Sequence, residues 1–452
     1  MSQMKDSGVD WIGQIPIDWV SKKAKYLFEV FGSGSTPDSG NLNFYDGDVN
    51  WIQSGDLYKT KYVEDTTKKI TENGRRSSSA LRVYKQPFLA LAMYGASVGN
   101  LSISKIDATV NQAVAVMDSD VNNIRFYYYA FEASKRELIA SAQGGTQPNI
   151  SQLLLKNWNL PTPPVDEQDK IADYLDVETK KIDSMLADAQ KSFDILNETR
   201  KSIIFESVTR GLDESVELKE SGVEWIGRIP VNWTYTKIRY TTRLNGRIGW
   251  QGLTSEEYTD EGPYLITGTD FINGTINFKT AVHIPFKRWQ EAKEIQVKNG
   301  DLLITKDGTI GKVAMIEGLE SEASLNSGVL RVRPNNQVQT RYLYWLLNSE
   351  VFWNWFNYTN GGNSTILHLY QNVFEQFSFP LPSVNEQKRI SEYLDCVISI
   401  IDDAINKLEQ VISLGEEYKK SLIYEYVTGK KRVDLYINQV NEGSDENGTT
   451  IN

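Results

Sequence analysis

Two stretches of this chain are each built to be one very long helix, and everything else is arranged around them. After Pro163 and Pro164, no Gly or Pro occurs until Gly211, and Asp166 and Glu167 place acid where a helix N-terminus favours it. Leu175, Ile182, Ala189, Leu196 and Ile203 recur every seven residues, with Leu186 and Phe193 four places beyond two of them. Such spacing makes an apolar seam that needs a partner helix. The partner is in the same chain. Pro380–Gly429 lies over the first stretch at a constant offset of 219: Gln168 falls on Gln387, Tyr174 on Tyr393, Asp183 on Asp402 and Thr209 on Thr428. Its seam is Leu394, Ile401, Leu408 and Leu422, flanked by Ile398, Ile405 and Ile412. Helices of about 40 residues are about 60 Å long, and docking one seam on the other hides both. A duplicated unit is therefore expected, with a globular domain before each helix.

The openings of the two halves repeat as well. Residues 5–27 return as 219–241, with Trp11, Ile12, Gly13, Ile15, Pro16 and Trp19 matching Trp225, Ile226, Gly227, Ile229, Pro230 and Trp233. They read as an apolar clip packed on the domain. In the first body, strands are expected ending at Trp51-Ile52, over Phe88–Met93 and over Val110–Met117. A helix is expected from Arg125 to Ala142, then a polar glycine loop through Gly144–Ser151. The second body follows the same plan, with a strand at Leu302–Thr305, Leu325–Leu330 standing for Val110–Ala115, and an aromatic helix over Arg341–Phe356. Between these landmarks the halves barely match, a pattern that suits two domains doing one job on two ligands. The segments are 1–162, 163–212, 213–380 and 381–431, with a disordered polar tail over 432–452.

The net charge of −11 would argue against nucleic acid if it were spread evenly. It is not: residues 1–165 carry 17 Lys/Arg against 16 Asp/Glu, residues 215–384 carry 16 against 17, and residues 166–214 alone carry −6. No apolar run approaches the roughly 20 residues of a membrane span, and the start lacks the apolar core of a signal peptide. The one cysteine, Cys396, is expected as a small packing residue, and a cytoplasmic protein follows.

Catalytic chemistry is hard to assemble. The two histidines, His283 and His368, read as ordinary polar positions, and with one cysteine no zinc set forms. Gly308-Thr309-Ile310-Gly311-Lys312 fails as a phosphate loop, because Lys306 stands where Gly is required and Val313 where Ser or Thr is. What remains is a set of polar and basic loops. Lys59, Lys61, Lys68, Lys69, Arg75, Arg76, Arg82 and Lys85 cluster in the first half, and Lys237, Arg239, Arg243 and Arg247 in the second. Each cluster reads either as a phosphate-binding surface or as a solvated face.

The order of motifs now matters. Trp-Ile-Gly-x-Ile-Pro-x-x-Trp, Gly-Ser-Thr-Pro, Trp51-Ile52-Gln53-Ser54-Gly55-Asp56, Gly-Gly-Thr-Gln-Pro-Asn-Ile-Ser and Pro-x-Pro-Pro-x-x-Glu-Gln-x-x-Ile-x-x-Tyr-Leu-Asp run in sequence, the Glu-Gln-x-x-Ile opening recurring at 386–390. This resembles the specificity subunit of type I restriction–modification enzymes over nearly the whole chain. The resemblance implies an α+β fold with two target-recognition domains, each reading half of a split DNA site. Between them, the two helices would pair as an intramolecular antiparallel coiled coil that sets the spacer. It implies a non-catalytic chain with two methyltransferase subunits and two ATP-driven restriction subunits as partners, which would hold S-adenosylmethionine, ATP and Mg2+.

DNA contacts are expected at Ser33, Ser35, Thr36, Gln53, Ser54, Gly55, Lys59, Lys61, Arg75, Arg76, Tyr94, Ser97, Asn111, Gln112, Gly144, Gly145, Thr146, Gln147 and Asn149 in the first domain. In the second they are expected at Arg247, Trp250, Gln251, Thr267, Lys306, Thr309, Asn326, Ser327, Gly361, Gly362, Asn363 and Ser364. Two readings compete: a structural coiled-coil adaptor joining two protein ligands, and an enzyme with hidden nuclease carboxylates.

Overall fold

The computed structural model describes residues 3–58, 60–142, 148–247, 253–360 and 368–433. The chain forms two compact units: residues up to Ala189 with those from Val411 onward, and Gln190–Gln410. Each unit holds one globular domain and a part of each long helix.

The long helices run Val165–Arg210 and Val384–Val427. They stop where glycine can turn the chain, since Gly211 (φ 78°) and Gly429 (φ 70°) are both left-handed. Within each unit the two helices pair antiparallel. In the first unit Tyr174 packs on Tyr426 (ring centroids 4.5 Å apart), Asp183 holds Lys419 (2.5 Å) and Leu186 covers Gly415. In the second, Arg200 holds Asp402 at 2.6 Å. In the first unit's pairs the residue number rises on one helix as it falls on the other.

Burial along the seam is uneven. Leu175, Ile182, Ala189, Leu394, Ile401 and Leu422 are buried, whereas Leu186, Phe193, Leu196, Ile203, Ile405, Leu408 and Ile412 are only half-buried. Toward Arg210 the buried apolar positions are Ile204 and Val208 rather than Ile203. A straight helix drifts about 20° per heptad from a strict seven-residue repeat, and here the drift turns Ile204 and Val208 into the second domain's core. Cys396 is exposed, not packed: it sits two residues past buried Leu394, about 200° around the helix.

In the first domain a five-stranded sheet has the order Val30–Ser33, Val114–Asp118, Phe88–Ala92, Leu101–Ser104, Tyr62–Val63. Beside it lies a three-stranded sheet of Thr109–Val110, Tyr45–Ile52 and Lys69–Ile70. The single strand expected over Val110–Met117 is thus two strands in two sheets, because polar Asn111 and Gln112 turn the chain between them. The second domain repeats this frame with Thr242–Gly246, Val329–Pro334, Leu302–Thr305 and Val313–Met315 in one sheet, and Thr259–Ile266 beside Ala323–Leu325 in the other. The helix Ile124–Ala140 buries Phe126, Tyr127, Tyr129, Ala130 and Leu138. Its counterpart is two helices, Thr340–Leu347 and Glu350–Thr359, since Ser349 caps a new start by accepting from Val351 N–H.

The repeated openings tie each domain to its helix. Trp19, fully buried, donates its indole N–H to Glu167 (2.9 Å), and Trp233 does the same to Glu386 (2.9 Å). The next residue is a buried clamp. Gln168 accepts from Asn123 N–H (2.9 Å) and donates to Pro163 O (3.0 Å), while Gln387 accepts from Gln339 N–H (2.8 Å) and donates to Pro382 O (2.9 Å). The Glu-Gln pair is therefore structural: its charge meets the clip and its amide closes the domain. The tail begins ordered, with Arg432 held by Glu167 (2.9 Å) and Asp18 (2.6 Å) and Val433 buried. The rest of the expected disordered tail lies outside the described residues.

Candidate nucleic-acid interface

In the first domain, parallel pairing of Thr109–Val110 with Trp51–Ile52 makes two strands end side by side. Asn111 N–H donates to Ile52 O (2.9 Å), Met93 N–H to Ala113 O (2.7 Å) and Ile150 N–H to Met93 O (2.7 Å). Gly34 N–H reaches Asn111 O (3.3 Å), an approach open only to glycine, since a Cβ there would lie 1.7 Å from Val110 O. These backbone bonds gather the loops at Ser33–Thr36, Gln53–Gly55, Tyr94–Ser97, Asn111-Gln112 and Asn149. Side chains lock them further: Thr36 donates to Gln112 Oε1 (2.6 Å), Gln152 to Ser33 Oγ (2.7 Å) and Trp51 to Ser35 O (3.2 Å). Thr36, Gly55, Gln112 and Asn149 are exposed, and Ser33, Ser35, Gln53, Ser54, Tyr94, Ser97 and Asn111 half-buried. Such a cluster presents amides and hydroxyls, the groups that read base edges and phosphates.

The second domain builds the same convergence from other residues. Ala323–Leu325 runs parallel to Tyr264–Ile266, and Asn326 N–H donates to Ile266 O (2.9 Å). Lys306 N–H donates to Gly328 O (2.8 Å) and Leu369 N–H to Lys306 O (3.0 Å). Thr267 and Gln53 occupy matching turns, each with its N–H on an aspartate three residues on, Asp270 at 2.7 Å and Asp56 at 2.8 Å. Thr267, Lys306 and Asn326 are half-buried, Thr309 and Ser327 exposed. Gly95, Gly99, Gly308 and Gly311 all have φ between 69° and 84°, so both hairpins turn through the left-handed region.

Several expected contacts have other occupations. Lys61 is bound to Asp176 on the first long helix and lies over the Tyr129 ring. Arg75 and Arg76 both grip Glu72, at 2.6 and 2.8 Å. These last pairs are exposed, so each is worth little and can exchange onto a phosphate. Arg247 is 4% exposed, donating to Leu325 O (2.7 Å) and Ser324 Oγ (3.0 Å); burial pushes its pKa down to about 10. Its guanidinium braces the strand end beneath Asn326 rather than facing outward. Lys59, Gly144, Gly145, Thr146, Gln147, Trp250, Gln251, Gly361, Gly362, Asn363 and Ser364 lie outside the described residues.

Sequence reasoning missed Gln152, and it passed over His368, whose Nδ1 lies 2.6 Å from Asp307 Oδ1 beside Lys306. No local pattern marks either residue; only the fold brings them to the loops. Among the described residues no helix is long and apolar enough to cross a membrane.

Comparison with known proteins places this frame. Residues 16–188 and 251–413 each match the family described as the type I restriction modification DNA specificity domain. A specificity subunit of the MjaVIII type I restriction enzyme from Methanocaldococcus jannaschii is 22% identical over 380 residues, 83% of each chain. The EcoBI specificity subunit of Escherichia coli is 22% identical, covering 72% of this chain and 69% of its own. Among solved structures, one reported for the assembly and conformational transition of the type I R-M system superposes with a TM-score of 0.68 at 14% identity. It covers 92% of this chain and 99% of that one. The HsdS subunit from Thermoanaerobacter tengcongensis gives a TM-score of 0.50 at 14% identity, covering 92% and 98%. The fold agrees with both, and the chain belongs to the type I restriction–modification DNA specificity family, carrying its domain twice.

Proposed function

We propose that this chain is the non-catalytic DNA-reading subunit of a type I restriction–modification complex. Each domain reads one half of a bipartite site through its gathered loops, and the paired helices set the spacer and dock two methyltransferase subunits. S-adenosylmethionine, ATP and Mg2+ belong to the methyltransferase and restriction partners. The observation that carries this reading is the duplicated strand-end frame, in which Asn111 and Asn326 make the same backbone bond while the residues around them differ. Identical frames bearing different side chains are what two half-site readers require.

Methylation of a randomised duplex library by this chain, its cognate methyltransferase subunit and S-adenosylmethionine tests it. A split asymmetric site that vanishes when the chain is omitted is the expected product. Uniform methylation, or none from a stable complex, would favour the adaptor.

A further inference from the structure

Asp176 and Asp395 are 219 residues apart, the same offset as the clamps Gln168 and Gln387, and each faces its own domain. Different donors converge on them. Asp176 takes the Tyr129 hydroxyl (2.7 Å), Arg125 (3.0 Å) and the Lys61 ammonium. Asp395 takes Arg341 (2.7 Å) and the Trp345 indole (2.7 Å). Arg125 and Tyr129 stand four apart on one domain helix, as do Arg341 and Trp345 on the other. The geometry thus survives with its arginine, although Tyr129 is exchanged for Trp345 and Lys61 joins only in the first half.

The contact has a mechanical consequence. Ile171, Ala172 and Leu175 bury apolar surface against the first domain, but apolar burial has no direction and allows one surface to turn on the other. Hydrogen bonds and ion pairs are directional. Glu167 and Gln168 supply directional fixing at the helix start, taking Trp19 and Asn123. Asp176, eight residues past Gln168 and about 12 Å along the axis, centres a second group. In it Asp173 also takes Arg125 (2.8 Å) and Thr179 meets the Tyr129 hydroxyl (3.0 Å). One group of fixings at the helix start leaves a pivot; a second group farther along the axis defines an angle. Gln387 and Asp395 repeat the arrangement in the second unit.

Resting on the bipartite reading above, we infer that Asp176 and Asp395 are positioning residues for spacer discrimination: each fixes the angle of its recognition domain on the helix. Adding one base pair between half-sites shifts one of them by about 3.4 Å and turns it by about 35°. A domain held at two points cannot follow that rotation, whereas a domain on a pivot can.

The experiment uses the complete complex with methyltransferase subunits and duplexes carrying the selected half-sites at the preferred spacing and at one base pair more or fewer. Asp176→Ala combined with Asp173→Ala should narrow the ratio of methylation at preferred to altered spacing by roughly tenfold, the equivalent of one charge-assisted hydrogen bond. Asp176→Ala alone should narrow it less, since Arg125 keeps Asp173 and Tyr129 keeps Thr179. Base preferences within each half-site should stay unchanged. Asp395→Ala should narrow it less, since fewer donors converge there, and Asp176→Glu should restore part of the ratio. An equal fall at every spacing, in variants that still assemble, would overturn the inference and leave the carboxylates as stabilising contacts only; so would an unchanged ratio. If the unmodified complex selects no split site, the functional reading itself fails, and this inference with it.

Discussion

The two domains share a backbone frame and differ in how its loops are braced. In the first, neutral side chains knit the loops together: Thr36 to Gln112, Gln152 to Ser33, and Trp51 to Ser35. In the second, a buried guanidinium, Arg247, binds Leu325 O and Ser324, and His368 meets Asp307. The joint to the helix keeps an arginine in both halves, Arg125 and Arg341, but adds Lys61 and Tyr129 on one carboxylate and Trp345 on the other. At the helix openings even the side-chain bonds are duplicated, Trp19 on Glu167 and Trp233 on Glu386; among the loops the backbone bonds are kept while the side-chain bonds differ. A surface that must read different ligands from a common scaffold is free to diverge in this way.

The largest test breaks the comparison outright. Replacing residues 1–160 with the matching segment of a relative should change every base preference in one half-site and none in the other, read by sequencing methylated library products. A change in both halves would mean that the domains do not read independently.

Next come the clamps, which should behave alike. Gln168→Leu and Gln387→Leu each strip a half-buried N–H and a buried C=O of this partner, costing about 3 kcal/mol as read by urea unfolding. Unequal losses, one near zero, would show that the duplicated motif is structural in one half alone.

Bracing should respond unequally. Arg247→Leu leaves Leu325 O and Ser324 Oγ without this donor at a buried site, a loss of about 2 kcal/mol. Gln152→Ala removes one half-buried side-chain bond, worth about 1 kcal/mol. Equal effects in denaturant unfolding would contradict the contrast between a buried brace and a shallow one.

The frame was largely legible in the sequence because it is written in repeated, local signals. Offset identity placed the first long helix to within two residues at its ends and the second to within four, and the tryptophan clips matched by position alone. What sequence could not carry is a side chain's long-range partner. Lys61 and Arg247 look like free cations in a polar stretch, yet one is spent on a helix 115 residues away and the other on a neighbouring strand. Strict heptads likewise misplaced the last buried turn at Ile203, since only the docked domain shows that Ile204 and Val208 face inward. His368 carries no pattern at all; its aspartate lies 61 positions back.

The smallest expected effect sharpens the account of the first joint. Partial burial pushes the Asp176 carboxyl up, but hydrogen bonds from Lys61 and Tyr129, the Lys61 charge and Arg125 outweigh it and hold it below 3.8. A carboxyl depressed by folding contributes stability that is fully present above its unfolded value and is lost as pH falls through its folded value. Wild-type protein should therefore exceed Asp176→Asn in stability above about pH 4, with the gap closing at lower pH. Denaturant midpoints followed from pH 6 downward read this directly. A gap that keeps its width well below pH 3 would place the stabilisation in neutral hydrogen bonds through Tyr129. The ion pair with Lys61 would then have no part in holding the first domain to its helix.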